Sequence, residues 1–277
     1  TIGAAPYAFL DATTNGTLTL GQATSFGALT LGSDTTINGA DATFNSTVNG
    51  AHALDIGQNA TFLGAVGGIT NLTSLTVHGT TALNGGGVTT TGAQDYIGAV
   101  TLGTDTTLSG SALTFEAALD GAFALDATSS AGTTTFGGAV GSTTKLASLT
   151  AHGTAALNGG AITTSGAQAY FGAVTLGADT TLDSSTGNGN VTFSAALDGA
   201  KALTVTAGTG DIALLAQAGG TTPLGNVSLT GKAITLTGVD SSGLTLANSG
   251  TLTLDGGNYT IGAAPYAFLD ATTNGTL

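Results

Sequence analysis

The sequence predicts an all-β fold, a three-sided parallel β-helix (a solenoid) of about 11 coils with roughly 24 residues in each. Three observations carry that expectation. Apolar residues alternate over three to five positions and then stop, which is strand and not helix periodicity. Gly, Asn, Asp or Ser separates the runs, and these residues supply turns and tolerate positive φ. The text also repeats itself on two scales, and a repeat that cannot bury its own apolar face must stack on its neighbours.

The larger repeat comes first along the chain. Thr1–Leu18 read TIGAAPYAFLDATTNGTL, and Thr260–Leu277 read the same eighteen letters, so the text restarts at position 260. The expected organisation is therefore one continuous β-helix over 1–277, with 1–259 a full unit and 260–277 the start of the next. Nested inside is a degenerate repeat: GALTLGSDTTI from Gly27, GAVTLGTDTTL from Gly98 and GAVTLGADTTL from Gly172, at nearly even intervals. SLTVHGTTALNGGGVTTTGAQDYIG recurs as SLTAHGTAALNGGAITTSGAQAYFG, which pairs His78 with His152 and Tyr96 with Tyr170.

Within a copy, Val100, Phe123, Ala147 and Val174 open similar short strands roughly 25 residues apart. Each stretch then holds two further β-type pieces, such as Thr106–Leu108 and Ala112–Phe115. Phe44, Phe115 and Phe193 occupy matching places, as do Phe62 and Phe136, and all five are assigned to core columns. Gly50, Gly121 and Gly199 follow Asn49, Asp120 and Asp198 and are assigned to corner turns. Stacking at about 4.8 Å per coil predicts a rod of about 50 Å per unit.

Composition narrows the function. Arg, Cys, Met and Trp are absent, and charged residues are 7% of the chain, against about a quarter in ordinary domains. Disorder does not fit, because Leu, Val, Ile and Phe recur throughout. Sixteen acidic residues against Lys145, Lys201 and Lys232 give a net charge of −13, which repels nucleic acid and anionic membranes. No apolar run approaches the roughly 20 residues that span a bilayer. Without cysteine there are no disulfides or thiolate metal sites. The start at Thr1 lacks the basic and apolar regions of a signal peptide, so an export signal is expected outside this segment.

The phrases ALNGGxxTTxGAQxYxGAVTLGxDTTL and FxxxLDGAxAL resemble the repeats of very large, filamentous-haemagglutinin-like bacterial surface proteins. The resemblance covers Gly27 to Leu236 and is weaker beyond it. It implies secreted or surface-displayed prokaryotic β-helical stalks used in adhesion or cell contact. The clean duplication of Thr1–Leu18 turns the expectation towards a regular fibre or sheath.

Candidate chemistry is sparse. Asp34, Asp105 and Asp179 recur in an xDTT context, where hard oxygen ligands at repeated corners suit Ca²⁺, an ion that needs six to eight oxygens. The competing explanation is an Asp bonded to its own turn. No other cofactor is suggested. Three scattered histidines form no metal triad, no G-x-S-x-G occurs, and a glycosidase would need paired carboxylates, so no enzyme is expected. The expected function is a structural repeat of a secreted or cell-surface fibre, sheath or giant adhesin stalk. Its partners would be identical units, end to end and side by side, with a glycan or a neighbouring cell surface as a further contact. Two alternatives stand beside it: an ice-binding Thr-rich β-helix, which requires Thr-x-Thr on one face of every coil, and a glycan-binding module built on exposed tyrosines.

Overall fold

The computed structural model describes residues 8–262 and 271–273. The stretches 1–7, 263–270 and 274–277 lie outside, and with them most of the second copy of the eighteen-residue text. The described chain is all-β with no helix. Its strands pair in parallel and stack as a β-solenoid of about 13 turns. Two compact units divide it, Thr1–Thr134 and Thr135–Leu277.

Three ladders build the first unit. One runs through Phe26, Phe44, Phe62, Leu83 and Leu102. A second runs through Ala12, Leu29, Val48, Val66, Val88, Leu108 and Ala127. A third runs through Ile37, Ile56, Val77, Tyr96 and Phe115. Each side of a coil is a short strand with inward, outward, inward alternation, as in Ala42–Phe44 and Leu113–Phe115, so a three-residue strand is enough to bury two side chains.

The second unit repeats the design. Its ladders are Ala155–Val174–Leu197–Ala218–Val239, Val140–Ile162–Leu182–Val205–Leu229–Leu246 and Ala151–Tyr170–Phe193–Leu214–Leu236–Leu254. One coil cannot bury its own apolar edge, and the ladder supplies both the backbone partners and the covering side chains.

Most coils are shorter than the sequence spacing suggested. The ladder step from Leu203 to Val227 has the expected length, but those from Gln94 to Leu113 and from Ala12 to Leu29 fall well short of it. The residue above Val100 is Leu119, while Leu125 pairs with Thr106 on a different side. The expectation of uniform, longer coils failed because strands of the same three-residue pattern occur on all three sides. Nothing in the local text marks which side a strand belongs to.

Candidate functional site

The candidate residues fall at corners and in the core. At the corners, the carboxylates of the xDTT phrase staple one coil to the next. Asp34 Oδ1 accepts the amide N–H of Ala53 at 2.9 Å, Asp105 Oδ1 that of Ala124 at 2.9 Å, and Asp179 Oδ1 that of Ala202 at 2.9 Å. Each donor lies a full coil beyond its acceptor along the chain, so the bond leaves the Asp's own turn. Nor do these residues form a column. Asp34 precedes the strand position of Thr35, which pairs with Leu54, whereas Asp105 precedes Thr106, which pairs with Leu125; the two sit at different corners of the first unit. No group of three or more His, Cys, Asp or Glu able to hold a metal occurs among the described residues.

The Asn-Gly and Asp-Gly corners work in the same way. Asn49 Oδ1 accepts the amides of Ile69 at 2.9 Å and Thr70 at 3.2 Å. Asp198 Oδ1 accepts those of Thr221 at 2.8 Å and Thr222 at 3.0 Å. The glycines that follow are obligatory: Gly50, Gly121 and Gly199 have φ of 131°, 136° and 124°, and a Cβ on each would strike the carbonyl oxygen of Leu31, Leu102 or Leu176.

The aromatic residues fill the interior. Phe44 is stacked between Phe26, with ring centroids at 5.3 Å, and Phe62, at 4.9 Å. Phe115 stacks on Tyr96 at 5.3 Å and Phe193 on Tyr170 at 4.8 Å. Phe136 is buried as well. Each such ring contributes about 1.5–3 kcal/mol through burial, and the offset stack adds about 0.5–1.5 kcal/mol.

A built polar site inside this core went unpredicted. Gln94 and Tyr96 are both fully buried. The Tyr96 hydroxyl donates to Gln94 Oε1 at 2.9 Å, and Gln94 Nε2 donates to the carbonyls of Ser109 at 2.9 Å and Val88 at 3.2 Å. The second unit repeats it: Tyr170 donates to Gln168 Oε1 at 3.2 Å, and Gln168 Nε2 to Asp183 O and Ile162 O, both at 3.2 Å. Burial pushes both tyrosine pKa values well above the usual phenol range. The amide thus ties the Val88 carbonyl to that of Ser109 in the following coil, and it satisfies groups that an apolar residue would leave unpaired. The signal for it was the phrase GAQxY, which puts a glutamine in the inward phase two residues before a core tyrosine.

The histidines act outside the core. His78 Nε2 lies 3.1 Å from Asp55 Oδ1, and His52 Nδ1 lies 3.6 Å from Asp34 Oδ1. The His152 ring stacks on Phe171 at 4.8 Å. In the second unit Lys145 Nζ donates to Thr186 Oγ1 at 2.6 Å and lies 3.7 Å from Asp183 Oδ2. Burial raises the Asp183 pKa, but the hydroxyl and amide of Ser185 and the Lys145 ammonium outweigh it, and the net direction is down.

Compared with known proteins, the chain matches no family model, no curated protein and no solved structure. The bonds described here are those of a stacking scaffold: side chains at the corners and in the core serve the coil above or below.

Proposed function

We propose that this chain is a structural repeat of a secreted or cell-surface fibre, sheath or giant adhesin stalk, joined to identical units end to end. The observation that carries this reading is the identity of Thr1–Leu18 with Thr260–Leu277 in a chain folded as a parallel solenoid. A solenoid coil presents unpaired backbone groups along its edge until another coil covers them, and a repeated text provides the matching coil. The phrase resemblance to bacterial surface repeats and the low charged content agree with this role. Mechanical continuity is the mechanism: backbone ladders transmit load along the stack, and corner carboxylates fasten successive coils. Negative-stain electron microscopy at rising protein concentration tests it. Filaments whose length grows with concentration are expected, and discrete particles at every concentration would refute the reading.

A second reading, ice binding, draws on one outward row in the second unit, Thr181–Thr204–Ser228–Thr245. Among these four strands only Leu203–Thr206 carries Thr-x-Thr, with Thr204 and Thr206. Thermal hysteresis would favour this reading over the fibre. The glycan alternative has less support, because Tyr96 and Tyr170 are buried and Tyr259 is half-buried; among the described residues Phe171 offers an exposed ring, 52% accessible.

A further inference from the structure

We propose that the eighteen-residue text is a shared joint between two copies of this chain, in which its Ala-Thr-Thr strand lies between Leu252–Leu254 of one copy and Leu29–Leu31 of the next. The inference rests on the fibre reading above and adds the register of the joint. In the second unit, Ala271, Thr272 and Thr273 pair in parallel with Leu252, Thr253 and Leu254. In the first unit the same text, Ala12, Thr13 and Thr14, pairs in parallel with Leu29, Thr30 and Leu31. Both partners read Leu-Thr-Leu. One precedes its Ala-Thr-Thr strand along the chain and the other follows it. Coils add in one direction, so these partners take opposite edges of the strand.

In the first unit this strand is covered from one side among the described residues. Ala12, Thr14 and Leu18 are only half-buried, although their ladder partners Leu29, Leu31 and Ile37 are 1%, 3% and 0% exposed. These inward-facing positions have a neighbour on one side among the described residues. Overlaying the two copies of the text completes the ladder as Leu252–Ala12–Leu29 and Leu254–Thr14–Leu31, and places Thr253, Thr13 and Thr30 in one row. The spacing is that of internal coils. The step from Leu252 to Ala271 equals that from Gln94 to Leu113, and the step from Ala12 to Leu29 equals that from Val227 to Leu244. The same strand thereby serves both neighbours, whichever copy of the text supplies it.

The absence of native cysteine makes the register directly readable. Adjacent parallel partners stand about 4.8 Å apart, within the roughly 4.4–6.8 Å Cα separation a disulfide spans. Full chains carrying Thr30→Cys are mixed with chains carrying Thr272→Cys, and Thr13→Cys chains with Thr253→Cys chains, then oxidised under assembling conditions. Intermolecular dimers are expected in the first mixture if the later copy of the text forms the joint, and in the second if the earlier copy does. A mixture of Thr30→Cys with Thr253→Cys, two strands apart in the joint, should give at least fivefold fewer dimers. Filaments that form while both mixtures cross-link no better than this control would overturn the register and leave the fibre reading standing. Failure of the wild-type chain to assemble at all would overturn both.

Discussion

Leu29 and Val100 occupy the same place in the repeated phrase, yet in the first unit they stand in different ladders: Leu29 pairs with Val48, and Val100 with Thr81 and Leu119. Three coils above Leu29 stands Val88, and Val100 lies two sides of the coil beyond it. The phrase therefore does not return after a whole number of coils. Phe44 and Phe115 follow suit, one stacked in the Phe26–Phe62 ladder and the other on Tyr96. Each phrase must pack on any side of the coil. Small residues, three-residue strands and glycine corners meet that demand, because they commit few positions to a shape peculiar to one side.

Replacing Phe44 tests the aromatic ladder. Phe44→Ala removes a fully buried ring flanked on both faces and should cost about 3–5 kcal/mol in urea unfolding. Phe44→Leu should cost less, because it keeps most of the buried apolar volume while losing the ring, and Leu83 continues the same ladder. Equal losses for the two would contradict apolar burial, as distinct from ring stacking, as the larger stabilising contribution.

The buried amide predicts a non-additive pair. Tyr96→Phe leaves Gln94 Oε1 without its donor and should destabilise by about 1–3 kcal/mol. Once Gln94→Leu has removed the acceptor, adding Tyr96→Phe should cost clearly less. Additive losses in the double-mutant cycle would show that the hydroxyl acts elsewhere.

Thr81 offers a stabilising change. Its hydroxyl is buried without a hydrogen-bond partner in a ladder between Ala60 and Val100, and the corresponding residue of the next copy is Ala155. Thr81→Val keeps the shape and removes the unpaired group, so a gain of about 1 kcal/mol is expected. A lower melting temperature for this variant would contradict it.

Asp95 predicts a pH dependence. Burial raises its carboxyl above the ordinary 3.8, Glu116 adds to the rise, and His78 opposes it; Oδ1 has no hydrogen-bond partner. Between 3.8 and the raised value the folded chain holds the proton more tightly than the unfolded chain. Stability therefore falls as pH rises through that window, and the penalty vanishes below it. Asp95→Ala, which mirrors Ala169, should raise the melting temperature at neutral pH and lose its advantage below pH 3.8. A benefit that persists unchanged at acid pH would contradict the cause given.

The fold class was legible because inward-outward alternation over three residues, broken by turn formers, has no helical counterpart. Coil length was not, and one error came from that. The xDTT aspartates looked like one column, and their true partners, the amides of Ala53, Ala124 and Ala202, could be found only once the coil above each corner was known. Gln94 and Gln168 escaped notice because a glutamine in a Gly- and Thr-rich phrase looks like surface. Its phase, two residues from a core tyrosine, is what places it inside.

The fibre account is tested most directly by X-ray diffraction from aligned assemblies of the full chain. End-to-end stacking of coils predicts a reflection at about 4.8 Å on the meridian, because the strands then lie across the fibre axis. The same reflection on the equator, with strands running along the axis, would contradict it.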